Sequence, residues 1–110
     1  MQTIVELPEF QWRADKLLTV AERISIINYL AQHPASGDLM QGTGGIRKLR
    51  WSAHGRGKSG GVRVIYYYHN ETIPLFLLTV FGKGEKSNLS KSERNQLVKV
   101  TAQIIKQYGE

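Results

Sequence analysis

The chain has 110 residues, 41% of them hydrophobic, and no cysteine. That composition predicts one compact domain over residues 1–110 around one hydrophobic core, and excludes disulfides and thiolate metal sites. The first ten residues, MQTIVELPEF, lack a signal-peptide pattern, and the longest apolar stretch, 73–81, is too short to cross a bilayer, so the expected setting is cytoplasmic with no membrane partner. Fifteen Lys/Arg against nine Asp/Glu give a net charge of +6. Between Asp38 and Glu71 there is no acid but there are six bases, Arg47, Lys48, Arg50, Arg56, Lys58 and Arg63, so the whole excess sits in that block. A basic stripe in an otherwise balanced domain points to a polyanion, most often nucleic acid; the plainer alternative is a solvated surface.

In chain order, residues 3–7 read as a short strand, and Pro8 opens a brief helix over 10–17. Thr19-Val-Ala-Glu22 is a capping box, a hydroxyl for free N–H groups followed three residues later by a glutamate. The helix it starts carries Val20, Ile24, Ile27 and Leu30 on one face and stops at His33-Pro34. Ser36-Gly37-Asp38 and Gly42-Thr43-Gly44-Gly45 mark a flexible connection. Three strand-like runs follow at 46–51, 62–68 and 73–81, the last two joined by the polar turn His69-Asn70-Glu71-Thr72. Ser90-Lys-Ser-Glu93 is a second capping box, opening a helix with Leu97, Thr101, Ile104 and Tyr108 in register and Gly109 at its end. The order predicts an α+β domain with the helices on one face of a small, mainly antiparallel sheet.

Within "GRGKSGGVRVIYYY", Gly55, Gly57 and Gly60 have G-x-G-x-x-G spacing, and Gly57-Lys58-Ser59 resembles the end of a P-loop. A P-loop requires a glycine where Ser52 stands and a helix immediately after, whereas "VRVIYYY" reads as a strand. The kinase glycine loop fits Gly55 to Val62, but no H-R-D or D-F-G string accompanies it. What remains is a glycine-rich basic arm with His54, Arg56 and Lys58, leading into a strand that starts near Arg63. Alternation sets Arg63, Ile65 and Tyr67 on one face and Val64, Tyr66 and Tyr68 on the other. One of these faces is core; a tyrosine on the open one could stack on a base, the alternative being packing.

The run "GGIRKLRW…GKSGGVRVIYYY…LFLLTVFGKGEKSNLS" resembles the RelE/HigB toxins of bacterial type II toxin–antitoxin modules, and most of all their HigB-type branch. The likeness covers roughly residues 41–90. It implies a RelE-like microbial-RNase fold, cleavage of mRNA in the ribosomal 30S A site, inhibition by a cognate antitoxin, and operator DNA binding only through the toxin–antitoxin complex. It places the phosphate-contacting strand arginine at Arg63, the basic arm at Arg56 and Lys58, and the G-K motif after the last strand at Gly82-Lys83. The chain departs from many relatives at Gly84, where they carry a second arginine, and from some at Ser90, where they carry a tyrosine.

RNA cleavage by 2′-hydroxyl attack needs a proton acceptor, charge for the pentacoordinate phosphate and a proton for the 5′-oxygen. Arg63, Arg56, Lys58 and Lys83 can supply the charge. His54 is the acid/base candidate by ordinary pKa and by its place in the arm. His33 reads as a helix-end residue, His69 as a turn residue, and Glu85 as either a base or a salt-bridge partner. Arg47, Lys48, Arg50, Tyr67 and Lys86 complete the expected RNA- or ribosome-binding set. No acidic or histidine cluster has ligand spacing, so neither metal nor cofactor is expected. Alternatives are a non-nucleolytic ParE-like toxin and a simple nucleic-acid-binding module.

Overall fold

The computed structural model describes residues 1–53, 61–86 and 88–109. The elements in order are β1 (Ile4–Glu6), α1 (Pro8–Leu17), α2 (Val20–Gln32), β2 (Asp38–Leu39), β3 (Ile46–Trp51), β4 (Val62–Tyr67), β5 (Leu75–Gly82) and α3 (Lys91–Gln107). They form one five-stranded sheet in the order β1-β5-β4-β3-β2, antiparallel except for the parallel β1–β5 edge. This is the expected α+β class with a mainly antiparallel sheet. No helix among the described residues is long and apolar enough to cross a membrane.

The helices lie on both faces of the sheet, not on one. Phe10, Ala14 and Leu17 of α1 and Ile26 and Leu30 of α2 pack with Val62, Val64 and Tyr66 of β4. Ile104 of α3, with Leu97, Val98 and Ile105 partly buried, packs instead with Ile65 and Tyr67. Alternation along β4 puts those two residue sets on opposite faces, so the sheet divides the apolar interior into two layers. The cause is β5, which is buried at every position. A strand apolar on both sides has to be covered on both sides. The pairing register of β5 with β4 steps between Ile65–Thr79 and Tyr66–Leu77, leaving Leu78 as an extra residue. Leu77 and Val80 thereby reach one layer while Leu78 and Phe81 reach the other.

Both expected capping boxes form. Thr19 Oγ1 accepts from the Glu22 amide at 3.1 Å while Glu22 accepts from the Thr19 amide at 2.8 Å, and Ser90 with Glu93 repeats the pattern. The expected face of α2 holds in its second half only: Leu30 is buried and Ile27 packs partly buried against the same layer, joined by Ile26 and Ala31, whereas Val20 is 73% exposed and Ile24 51%. The glycine-rich connection is a structured hairpin. Its Thr43 hydroxyl donates to the Met40 carbonyl and accepts from the Ile46 amide, and Asp38–Leu39 pairs with Arg47 and Lys48 as a strand. At the same end of the sheet, after β4, Asn70 Oδ1 accepts from the Thr72 and Ile73 amides and closes the turn.

Candidate functional site

The site lies at one end of the sheet, where β3 ends, β4 begins and β5 ends. On β3, Leu49 and Trp51 face the α1/α2 layer, so Lys48 and Arg50 face the other way. On β4, Val62 and Val64 enter the α1/α2 layer, and Arg63 shares its face with Ile65. Arg50 pairs directly across from Arg63, Lys48 across from Ile65, and Arg63 across from Phe81. Lys48, Arg50 and Arg63 therefore form a row on one face, with Arg50 exposed and the other two half-buried. Beyond the covered Ile65 and Phe81, this face ends in charge.

Like charges directly opposite across strands repel. Among the described residues ion pairs form at Arg13, Arg23 and Lys86 but at none of Lys48, Arg50, Arg63 or Lys83; Lys48 has the acid Asp38 across from it on β2, whereas Arg50 and Arg63 face each other. Arg63 donates a long 3.4 Å hydrogen bond from Nη1 to the Val62 carbonyl and no other among the described residues. Lys83 is exposed in the turn after β5, and its amide donates to the Gly61 carbonyl at 3.1 Å. Gly61 has φ +79°, and a Cβ there would sit 2.5 Å from the Trp51 carbonyl oxygen. Only glycine fits this close approach, which fastens the start of β4, the end of β3 and the Lys83 turn together.

The remaining expected residues divide. His54, Arg56 and Lys58 lie outside the described residues. Arg47 is on the opposite face from the row, where its Nη1 donates to the Ala35 and Gly37 carbonyls at 3.1 and 2.9 Å and its Nε is buried without a partner. There it fastens the α2–β2 connection together with Tyr66, whose hydroxyl accepts from the Gly37 amide and donates to the Pro34 carbonyl. Tyr67 is 3% exposed within the α3 layer, so its ring has no free face for a base. Lys86 reaches Glu93 at 2.5 Å and sits 5.1 Å from the centre of the Phe81 ring. The Lys86 hydrogen bond, joined by the Ser90 amide, holds the Glu93 carboxyl down to about 2.

No local sequence pattern announces Arg13. From α1 its Nε donates to the Val80 carbonyl at 2.7 Å and its Nη2 donates to Glu85. Glu85 is thus a salt-bridge partner, the second of the two readings open for it. Burial pushes its carboxyl up, but Arg13, the Gly82 amide and Lys86 outweigh this and hold it below the usual range. The two partners are 72 positions apart and no local pattern joins them.

The described residues contain no group of three metal-ligating side chains. Residues 11–110 match the family model described as the RelE toxin of the RelE / RelB toxin-antitoxin system. With that match spanning nearly the whole chain, the protein belongs to the RelE toxin family and is the toxin of a type II toxin–antitoxin system, with an antitoxin as its partner.

Proposed function

We propose that this toxin is a ribosome-dependent mRNA endonuclease that cuts mRNA in the ribosomal A site and is neutralised when its antitoxin covers the basic row. The observation that carries this reading is the Arg50–Arg63 pair: two arginines opposed across strands with no described ion pair at either, flanked by Lys83 and by Lys48, which has Asp38 across from it. Repulsion of that kind is relieved by a phosphate between the guanidinium groups, each able to donate paired hydrogen bonds. Because Arg50 and Arg63 stand on paired strands, the charge is in position before the substrate arrives.

In the proposed reaction the 2′-oxygen attacks the adjacent phosphorus, the bond to the 5′-oxygen breaks, and the products are a 2′,3′-cyclic phosphate and a 5′-hydroxyl. Arg63, with Lys83, stabilises the charge on the pentacoordinate phosphate. His54, Arg56 and Lys58 of the connecting segment are assigned here to proton transfer and phosphate contact on the sequence alone. Alignment of the mRNA by the ribosome supplies part of the barrier reduction, as orientation alone contributes several kcal/mol. Operator DNA is bound only through the toxin–antitoxin complex.

The test is a cell-free translation reaction with mapping of mRNA ends. Cuts within codons that appear only when ribosomes are present support the reading. Intact mRNA with arrested growth would move the protein to a non-nucleolytic class.

A further inference from the structure

Lys83 lies in a turn rather than in the sheet, yet that turn is fastened on both sides. On one side its own amide donates to Gly61. On the other, Glu85 accepts from the Gly82 amide through Oε1 and from Arg13 through Oε2, while the Glu85 and Lys86 amides donate to the Gly82 carbonyl. Arg13 is itself anchored twice, to the Val80 carbonyl and to Glu85, and its side chain is only 22% exposed. It thereby ties three things: the α1 helix, the last turn-ward residues of β5 and the loop that carries Lys83. The chain spends a half-buried guanidinium and a carboxylate on a five-residue loop that contributes no side chain to either core layer.

We propose that Arg13 is a positioning residue, acting through Glu85 to hold the 82–86 turn so that Lys83 is presented beside Arg63. The proposal rests on the nuclease reading above, in which Lys83 meets the scissile phosphate. A lysine on an unfastened loop would have to be ordered during the reaction, whereas a clamped one is ordered beforehand. Arg13 bridges α1 to the turn from one side, while Lys86 at the turn's far end reaches Glu93 of α3 and the Phe81 ring. Glu85 is also the sole acid of that turn, and pairing it with Arg13 directs its charge away from the phosphate.

The experiment compares Arg13→Met, Arg13→Lys and Glu85→Gln with the unsubstituted toxin on mRNA-programmed ribosomes, with amide hydrogen exchange and thermal unfolding on the same preparations. Glu85→Gln guards against a folding defect, since Glu85 is a surface side chain. Arg13→Met and Glu85→Gln should each lower the single-turnover cleavage rate at saturating ribosomes by roughly ten- to a hundredfold. The half-saturating ribosome concentration should stay within about twofold, Arg13→Lys should recover part of the rate, and exchange at the Lys83 and Glu85 amides should rise. Loss expressed only in affinity, or unchanged exchange at those amides, would overturn the proposal. Absence of cleavage by the unsubstituted toxin would remove the nuclease reading and this proposal with it, while the exchange data would still report whether the clamp orders the turn.

Discussion

Arg23 and Arg63 are both half-buried arginines, and their surroundings are opposite. Arg23, on α2, donates to Glu6 of β1 at 2.7 Å and to Asp15 of α1 at 2.8 Å, so one guanidinium joins three elements. Burial alone would lower its pKa, but hydrogen bonds and charge from Glu6 and Asp15 carry it above its ordinary value. Arg63 has another arginine across from it and no described acid in reach. The same side chain serves the fold in one place and is left for an outside anion in the other. A cation the protein has already satisfied belongs to stability; a cation it leaves opposed to its own kind is a candidate for function.

The largest expected effect comes from Arg63→Ala, which should lower mRNA cleavage at least about a hundredfold with thermal unfolding nearly unchanged. Arg63→Lys should rescue only weakly, because a point charge lacks the paired donors of a guanidinium. Cleavage and unfolding measured together decide whether the residue is functional or structural. Gly61→Ala sharpens the contrast by leaving every charge in place. The positive φ and the Trp51 carbonyl should make it destabilising by about 1–3 kcal/mol, seen as a lower denaturant midpoint together with weaker cleavage.

Arg23→Met is the reciprocal control. It should cost about 1 kcal/mol of stability by leaving Glu6 without its partner, while cleavage by the folded protein stays as it was. Arg50→Glu should do the reverse. Turning an opposed pair into an attractive one should raise stability by about 0.2–1 kcal/mol in chemical denaturation while weakening ribosome binding. A stabilised but impaired protein would show that the repulsion is maintained for a partner.

Much of this contrast was legible in the sequence, and the failures have physical causes. Both capping boxes were readable because the hydroxyl and the carboxylate act over three residues, within one turn. The face of α2 was only half readable, since Ile27 and Leu30 of the expected stripe reach the core while Val20 and Ile24 do not, and packing against β4 brings Ile26 in beside them. Strand β2 is two exposed residues that pair because β3 lies beside them, so no hydrophobic pattern announces it. Arg47 was grouped with Lys48 and Arg50 by charge, although the period of two already sets it on the other face. The expectation of helices on one face failed for a similar reason, since residues 75–81, apolar but for Thr79, need cover on both sides and α3 supplies the second. Arg13 could not be found, because its partners are brought to it only by the packing of α1 along β5.

The claim at the centre of this account is that the opposed arginines hold phosphate while the paired one does not. It is tested most directly by the salt dependence of binding to a short single-stranded RNA. Arg50→Gln and Arg63→Gln should each reduce the slope of log affinity against log salt by about 0.7, the amount for one phosphate contact on a single strand, and the Arg23→Gln protein should keep the slope of the unsubstituted toxin. Equal slopes for all four proteins would contradict the account.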